Sequence, residues 1–443
     1  MSQQDFNRST PPQPPITKGL SDDALLDLVQ KQTLRYFTDF AHPVSGMARE
    51  RSNIPDNKAY DLDCVTTGGT GFGIMALLAG TSRGWISPKE TQTQIEKIVD
   101  FLKTAEKHHG AFPHFLDGRN GKTIAFSPKD DGGDLVETSF LMMGLLTARQ
   151  YYKNNPDAQD LCHKINTLWQ GVEWDWYTQG STDTLYWHWS PNHGFDMDLP
   201  VEGWNESLVT HLLARASPTH AVPDTVYAQS WLGGKDFANG KDHHGIKLPL
   251  GPDGGGPLFM SQYSFMGINP TGLSDAHADY FEQNRNHTLI NRAHCIDNPH
   301  GHKGYGPACW GLTASDDPQG YAAHAPDHDN GVISPTAALG AFPYTPKESM
   351  QALRYFYEEK GDKIFGTYGF TDAFCENKNW YAKSHLAIDQ GPIVVMIENA
   401  RSGLLWDLFM SCPEVKHGLN TLGFKSNPAP QTKPAPPKNK PTP

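Results

Sequence analysis

An all-α fold, an (α/α)6 barrel whose long loops gather into a cleft at one end, is what this 443-residue sequence predicts. Three observations carry that reading. Roughly twelve segments show helical spacing of their apolar residues, and strand signal is almost absent. The helices alternate between small-residue, apolar ones and amphipathic ones, as an inner ring buried all round and an outer ring buried on one face would require. The long Gly/Asp/Pro-rich loops tend to precede the apolar helices, which collects them at one end. A repeat of fixed length, the mark of an open array, is not found.

In chain order, residues 1–19 read as a disordered Pro-rich arm, residues 20–426 as a single catalytic domain, and residues 427–443 as a disordered Pro/Lys-rich tail. Ser21 caps a helix expected over Asp22–Phe40, with Asp22 and Asp23 in its first turn and His42-Pro43 stopping it. Thr67-Gly68-Gly69-Thr70-Gly71-Phe72-Gly73 lacks the Gly-Lys-Ser/Thr ending of a phosphate loop and no convincing strand is read before it, so nucleotide binding is rejected. The apolar run Ile74–Ala79 instead makes these glycines the start of a tightly packed inner helix. Amphipathic spacing predicts helices over Ser87–His108 and Asp157–Trp174, and a strongly apolar one over Leu135–Tyr152. Later helices are expected over Thr225–Trp231, Asp275–Ile296, Ser334–Ala341, Pro346–Lys360, Ile388–Ser402 and Leu404–Met410, which ends the series. Residues 233–257 and 297–331 read as loops.

The net charge of −12 argues against an electrostatic nucleic-acid surface. No apolar run approaches the length of a membrane span. The polar, Pro-rich start carries no export segment, which is an expectation of a cytoplasmic or trimmed chain. Six scattered cysteines form no CxxC pair and read as buried thiols, with Cys295 and Cys309 the one pair that an oxidising compartment could join. Eleven Trp, 16 Tyr and 21 Phe matter more, because many sit in polar loops where they either pack on the scaffold or bind something flat.

Three acidic sites open apolar helices after polar loops: Asp134 with Glu137, Glu206 with Glu202 before it, and Asp389. Each is a helix cap or a site residue. Three in one barrel, converging on one cleft, point to a carboxylate-based hydrolase. Glu206 lies in Val201-Glu202-Gly203-Trp204-Asn205-Glu206-Ser207-Leu208, beside an indole, where Asn205 or Ser207 can cap the following helix. Indole faces suit pyranose faces, and a carboxylic acid suits a glycosidic oxygen. The His/Asp-rich loop containing His294, His300, His302, His324 and His328 lacks HExxH and paired Cys/His spacing, so no metal or cofactor is assigned. No GxSxG anchors a serine nucleophile.

The ordered series of motifs resembles a known family. It comprises Gly68–Phe72, Asp131-Gly132-Gly133-Asp134-Leu135-Val136-Glu137-Thr138-Ser139-Phe140, Glu202–Glu206, Gly306–Ala314, Tyr321–Pro326 and Ile388-Asp389-Gln390-Gly391-Pro392. Together these are similar to the bacterial glucoamylase-like proteins of glycoside hydrolase family 144, over about Leu20 to Phe424. The resemblance implies an (α/α)6 barrel and an inverting endo-β-1,2-glucanase, while some members release sophorose from a chain end. It places the acid on Glu206, the base on Asp389, and further required acidic positions on Asp134 and Glu137. Members are usually exported, so the resemblance implies a periplasmic or secreted protein.

The substrate expected is therefore a β-1,2-glucan or sophoro-oligosaccharide, cleaved by one acid and one base on opposite faces of the sugar. Trp187, Trp204, Trp310, Tyr321 and Trp380 are the expected stacking residues, with Glu202, Asn205, Arg292 and His324 as hydroxyl contacts. No nucleic-acid or membrane partner is expected, and the chain is expected to be a monomer or a small homo-oligomer. The rivals are a polysaccharide lyase, which the acidic balance disfavours, a non-catalytic glucan-binding protein, and a β-1,2-glucan transglycosylase.

Overall fold

The structure, a computed structural model, describes residues 14–54 and 60–426. Its α-helices are α1 Asp22–Thr38, α2 Thr67–Ser82, α3 Pro88–Thr104, α4 Leu135–Tyr152, α5 Gln159–Gln170, α6 Leu208–Ala216 and α7 Asp224–Val226. They continue with α8 Tyr280–Asp297, α9 Pro335–Leu339, α10 Pro346–Arg354, α11 Gly361–Ile364, α12 Ala387–Ser402, α13 Leu404–Met410 and α14 Pro413–Thr421.

Local chemistry sets many of the helix starts. The Ser21 side chain accepts from the Ala24 amide at the head of α1, and Ser87 with Glu90 closes a capping box at α3. Asp279 accepts from the Glu282 amide at 2.9 Å and so begins α8 at Tyr280, later than the spacing predicts.

The inner helices close into a ring, and hydrogen bonds trace it. α2 packs along α4, whose Ser139 hydroxyl meets the Thr210 hydroxyl of α6 at 2.7 Å. The Val209 amide of α6 donates to Ser264 Oγ at 2.9 Å, in a run of short 3-10 turns over residues 258–266. Gln262 Nε2 in that run donates to the Ala337 carbonyl of α9 at 2.8 Å. Thr336 of α9 donates to the Asp389 carbonyl of α12 at 2.7 Å, and α12 returns to α2. Outside this ring, α1 lies on α12, where Gln30 Nε2 reaches the Val394 carbonyl at 3.0 Å. α5 covers α4, α8 backs residues 258–261, α10 backs α9, and α14 backs α6. This is the (α/α)6 barrel that the alternation of helix types predicts, and one contiguous hydrophobic core runs through it.

The glycine-rich start of α2 has a packing reason. A Cβ on Gly71 would collide with the Phe140 carbonyl of α4, and one on Gly144 would collide with the Gly71 carbonyl, so the two helices touch backbone to backbone. No phosphate need be invoked.

Several expectations change. Pro413–Thr421 is a further helix after Leu404–Met410. The two stretches read as loops each hold a hairpin, Ala238–His243 with Ile246–Leu250 and Ala314–Asp317 with Gly320–Ala323. Of the N-terminal arm, residues 1–13 lie outside the described residues, as does the tail 427–443. Residues 14–19 are placed on the barrel: Ile16 packs beside Gly361 and the Thr17 amide donates to Tyr357 Oη at 3.1 Å. All six cysteines are buried free thiols, so Cys295 and Cys309 are not bridged. Among the described residues no helix is long and apolar enough to cross a membrane.

Candidate active site

At the end of the barrel where α2, α4, α6 and α12 begin lies a cavity of about 330 Å³. Glu206 and Glu137 reach into it, and Tyr263, Phe259 and Ile388 form part of its wall. Glu50, Arg51, Tyr60 and Tyr321 stand on the α12 side, with His114, Phe115 and Phe126 across from them along α4. Glu206, in the turn ahead of α6, is held by its backbone, whose carbonyl accepts from Ser264 Oγ. Burial pushes the Glu206 carboxyl up to about 7, and the charges of Glu137 and Asp134 add to the rise.

Glu137 sits in the first turn of α4, where its Oε2 accepts from the Gly68 amide at 2.7 Å. Gly68 must lack a side chain there, since a Cβ would stand 2.6 Å from that oxygen. Burial nonetheless raises the Glu137 carboxyl to about 7. Asp134 is the cap of α4 and, like Asp389, is buried behind the cavity lining rather than in it. Its Oδ1 accepts from the Glu137 amide at 2.9 Å, while its Oδ2 faces His114 Nδ1 at 3.2 Å and His188 Nε2 at 3.3 Å. The strand pair Asp134–His188 brings that second imidazole into place. Burial opposes the charge on Asp134, but the two imidazoles outweigh it and hold the carboxyl well below the usual range. In turn, burial is overcome at His114 and His188, whose acidic neighbours raise them to about 9 and about 10. His114, Asp130 and Asp134 bring ligand atoms within 4.8 Å of one another, a geometry that could hold a metal ion. Ligation by His114 would have to displace the proton that its acidic neighbours favour.

Asp389, in the first turn of α12, lies behind the cavity wall. Burial raises it to about 7, and neither of its oxygens has a hydrogen-bond partner among the described residues. Its neighbours are Glu50 and Arg51 from the loop after α1, and Asp316 from the 314–323 hairpin. Arg51 bridges them: Nε reaches Glu50 Oε2 at 2.8 Å and Nη1 reaches Asp316 Oδ1 at 3.0 Å. Tyr263 ties the two sides together. After burial, the charges that raise its hydroxyl come from Asp389, Tyr321, Glu206 and Glu137, from both sides of the cavity.

The predicted contacts separate. Tyr321 lines the cavity, 49% exposed, with its hydroxyl near Asp389. Trp204 and Trp310 are core residues, 3% and 0% exposed, and offer no face to a sugar. Trp204 is enclosed by Trp231, Phe265 and Tyr280. Trp187 stacks on His188 and Trp380 packs on the Val332–Ala373–Cys375 patch, both away from the cavity lining. Arg292 donates to the Pro307 carbonyl at 3.2 Å, and His324 is buried and lowered to about 4 by that burial. Glu202 is exposed, and Asn205 is used locally, its Oδ1 accepting from the Ser207 amide at 2.9 Å. Ser207 takes the cap position without a side-chain cap bond. The His-rich loop is stapled on Asp329 by His294 at 2.9 Å and Tyr305 at 2.7 Å. Sequence reasoning missed Phe126, which lines the cavity 55% exposed and stacks on His114 at 4.2 Å.

A family model described as putative glucoamylase matches residues 198–413, and one described as a protein of unknown function, DUF3131, matches residues 29–169. A crystal structure of a putative glucoamylase from Bacteroides uniformis superposes with a TM-score of 0.89 at 53% identity, covering 93% of this chain and 99% of that one. An endo-β-1,2-glucanase from Chitinophaga pinensis, solved with sophorotriose and glucose, gives the same TM-score of 0.89 and 53% identity, over 92% of this chain and 99% of that one. An exo β-1,2-glucooligosaccharide sophorohydrolase of Parabacteroides distasonis is 44% identical over 428 residues, 92% of this chain. The chain spans 58% of that relative's length. On the strength of 53% identity across 99% of two solved relatives, the chain belongs to glycoside hydrolase family 144, the glucoamylase-like hydrolases of β-1,2-glucan.

Proposed function

We propose that this chain hydrolyses β-1,2-linked glucan with inversion, Glu206 as acid and Asp389 as base. The observation that supports the reading is geometric: Glu206 and Glu137 line one cavity with Tyr263, Asp389 stands buried behind its wall, and burial raises all three carboxyls. A proton affinity near neutrality lets a carboxyl arrive protonated and still give its proton up. Glu206 lies on the wall and gives that proton to the glycosidic oxygen as the C–O bond breaks. Water attacks the anomeric carbon from the opposite face, and its proton passes to Asp389. Because Asp389 is set behind the lining, that proton crosses an intervening hydroxyl. Glu137 and Asp134, tied to the start of α2 and to two imidazoles, hold the acid side in shape. Phe126 and Tyr321, exposed at the mouth, offer flat faces to the glucose rings.

We favour internal attack over attack from an end. The endo-acting relative is 53% identical, against 44% for the sophorose-releasing one. Product profiling on linear β-1,2-glucan tests this: a ladder of sophoro-oligosaccharides early in the digest is expected. Sophorose as the only early product would establish end-on action, and no reducing ends at all would sink the hydrolase reading.

A further inference from the structure

Beside the α4 side of the cavity, on the outside of the rim, lies an open groove of about 530 Å³. None of its lining residues lines the cavity. The two nonetheless share one end of the barrel. α5 folds back along α4: Cys162, near its start, touches the Arg149 carbonyl, near the end of α4. Residues 171–180 therefore return to the end where the cavity opens. There Tyr177 Oη donates to the His108 carbonyl at 2.8 Å and fills the space that a Cβ on Gly133 would take, one residue before Asp134.

The groove is built on an indole supported from behind. Trp176, in the 3-10 turn Trp174–Thr178, is 41% exposed. His109 lies flat on one of its faces, with ring centroids 3.6 Å apart and planes 12° apart. Trp189 stands edge-on to both rings, and Glu173 Oε2 meets His109 Nδ1 at 3.0 Å. His109 and Gln179 both hold left-handed backbone, at φ 51° and φ 54°. Non-glycine residues seldom adopt that conformation, and here both bear on the placement of one exposed indole. The other face of that indole is left to the groove.

Hydrogen-bonding capacity is left over around this face. Asp175 Oδ1 accepts from the Trp176 amide at 3.1 Å and meets His220 Nδ1 at 3.0 Å. Among the described residues, Asp175 Oδ2, Glu173 Oε1 and the Gln179 side-chain amide have no partner. Carboxylate oxygens accept and an amide both donates and accepts, which together match hydroxyl groups. The lining holds no Lys or Arg, so an anion finds no counter-charge, and a cation finds both carboxylates already facing imidazoles. A flat apolar face ringed by such groups suits a pyranose, whose C–H face stacks while its hydroxyls bond.

We infer that this groove is a second holding site for the glucan chain, with Trp176 stacked on a glucose ring outside the segment being cut. This rests on the reading of the protein as a β-1,2-glucan hydrolase. The groove touches no reacting atom; by keeping a long chain at the rim it raises the effective concentration of that chain at the cavity. W176A should raise KM for long linear β-1,2-glucan about fivefold, the worth of one stacked ring, with kcat within about twofold of wild type. KM for a sophoro-oligosaccharide short enough to lie within the cavity should not change, and W176F, which keeps a flat face, should recover most of the loss. An unchanged KM for long glucan in W176A overturns the inference. So does an equal rise for long and short substrates, which would mean that the damage reached the cavity through Tyr177. Q179A leaves the packing of the indole intact and should raise the same KM about threefold; no rise there overturns the inference even where W176A does not fold. Electrophoresis through a gel containing long β-1,2-glucan reads binding without turnover. In an E206Q background, W176A should migrate faster in that gel and identically in a glucan-free one, and equal retardation overturns the inference. If wild type releases no reducing ends, the hydrolase reading fails, while retardation in the gel still decides the groove.

Discussion

The two sides of the cavity handle the same problem, too many buried carboxyls, in opposite ways. On the α4 side two imidazoliums, His114 and His188, stand against Asp130 and Asp134 and keep Asp134 charged. On the α12 side a single guanidinium, Arg51, stands among Glu50, Asp316, Asp372 and Asp389. The first side sets two imidazoles against its acids; the second sets one guanidinium among four carboxyls. The α4 side therefore keeps a charged frame behind Glu137 and Glu206. The α12 side leaves both oxygens of Asp389 without a hydrogen-bond partner among the described residues.

The largest effect expected is at Glu206. E206Q keeps the shape and removes the ionisable proton, so turnover of β-1,2-glucan should fall by roughly 10²–10⁴-fold with melting temperature and glucan binding retained. Near-full activity would return Glu206 to the role of a helix-start residue and leave the comparison without its acid. Next comes the frame. D134N leaves buried His188 and half-buried His114 without their shared carboxylate and should cost about 3 kcal/mol of stability at pH 7. The folded pKa values of His114 and His188, about 9 and about 10, lie above the unfolded value of about 6.5, so their contribution is complete below that pH. It is lost as pH rises through 9 and 10, and the gap in melting temperature between D134N and wild type should narrow there. A gap independent of pH would show that the imidazoles are not the cations that balance this side. The smallest effect expected is at the mouth. F126A should raise KM for long glucan about fivefold, the worth of one aromatic face, with kcat little changed. W380A, away from the lining, should leave KM alone; the reverse outcome would move the sugar path to the sequence-predicted tryptophans.

Those tryptophans show where reading the sequence succeeded and where it stopped. The acidic residues were legible because each opens an apolar helix, and helix starts are written locally in caps and periodicity. So were the ring and the buried α2 and α4. The aromatic contacts were misread because an indole beside a carboxylate in sequence need not be beside it in space: Trp204 turns into the core while Glu206, two residues on, turns into the cavity. Arg51 with Asp316, 265 positions apart, and His114 with His188 left no local mark at all. Asp316 and Tyr321 come to the site on a hairpin hidden in a loop dense in turn residues. The missed helix Pro413–Thr421 did have a signal, with proline at its first position and Val415 and Leu419 four apart on one buried face.

The backbone contact between Gly71 and Gly144 has a reach beyond packing. Replacing glycine by alanine inside a helix is a common way to stabilise a protein, because it removes disorder from the unfolded chain. Here one methyl group would wedge α2 away from α4 along their shared seam. The start of α2, where the Gly68 amide holds Glu137, would swing with it. A substitution chosen for thermal robustness would thus arrive at the cavity as a change in acidity. The spacing of two helices deep in the barrel acts as a calibration screw for the chemistry at its mouth.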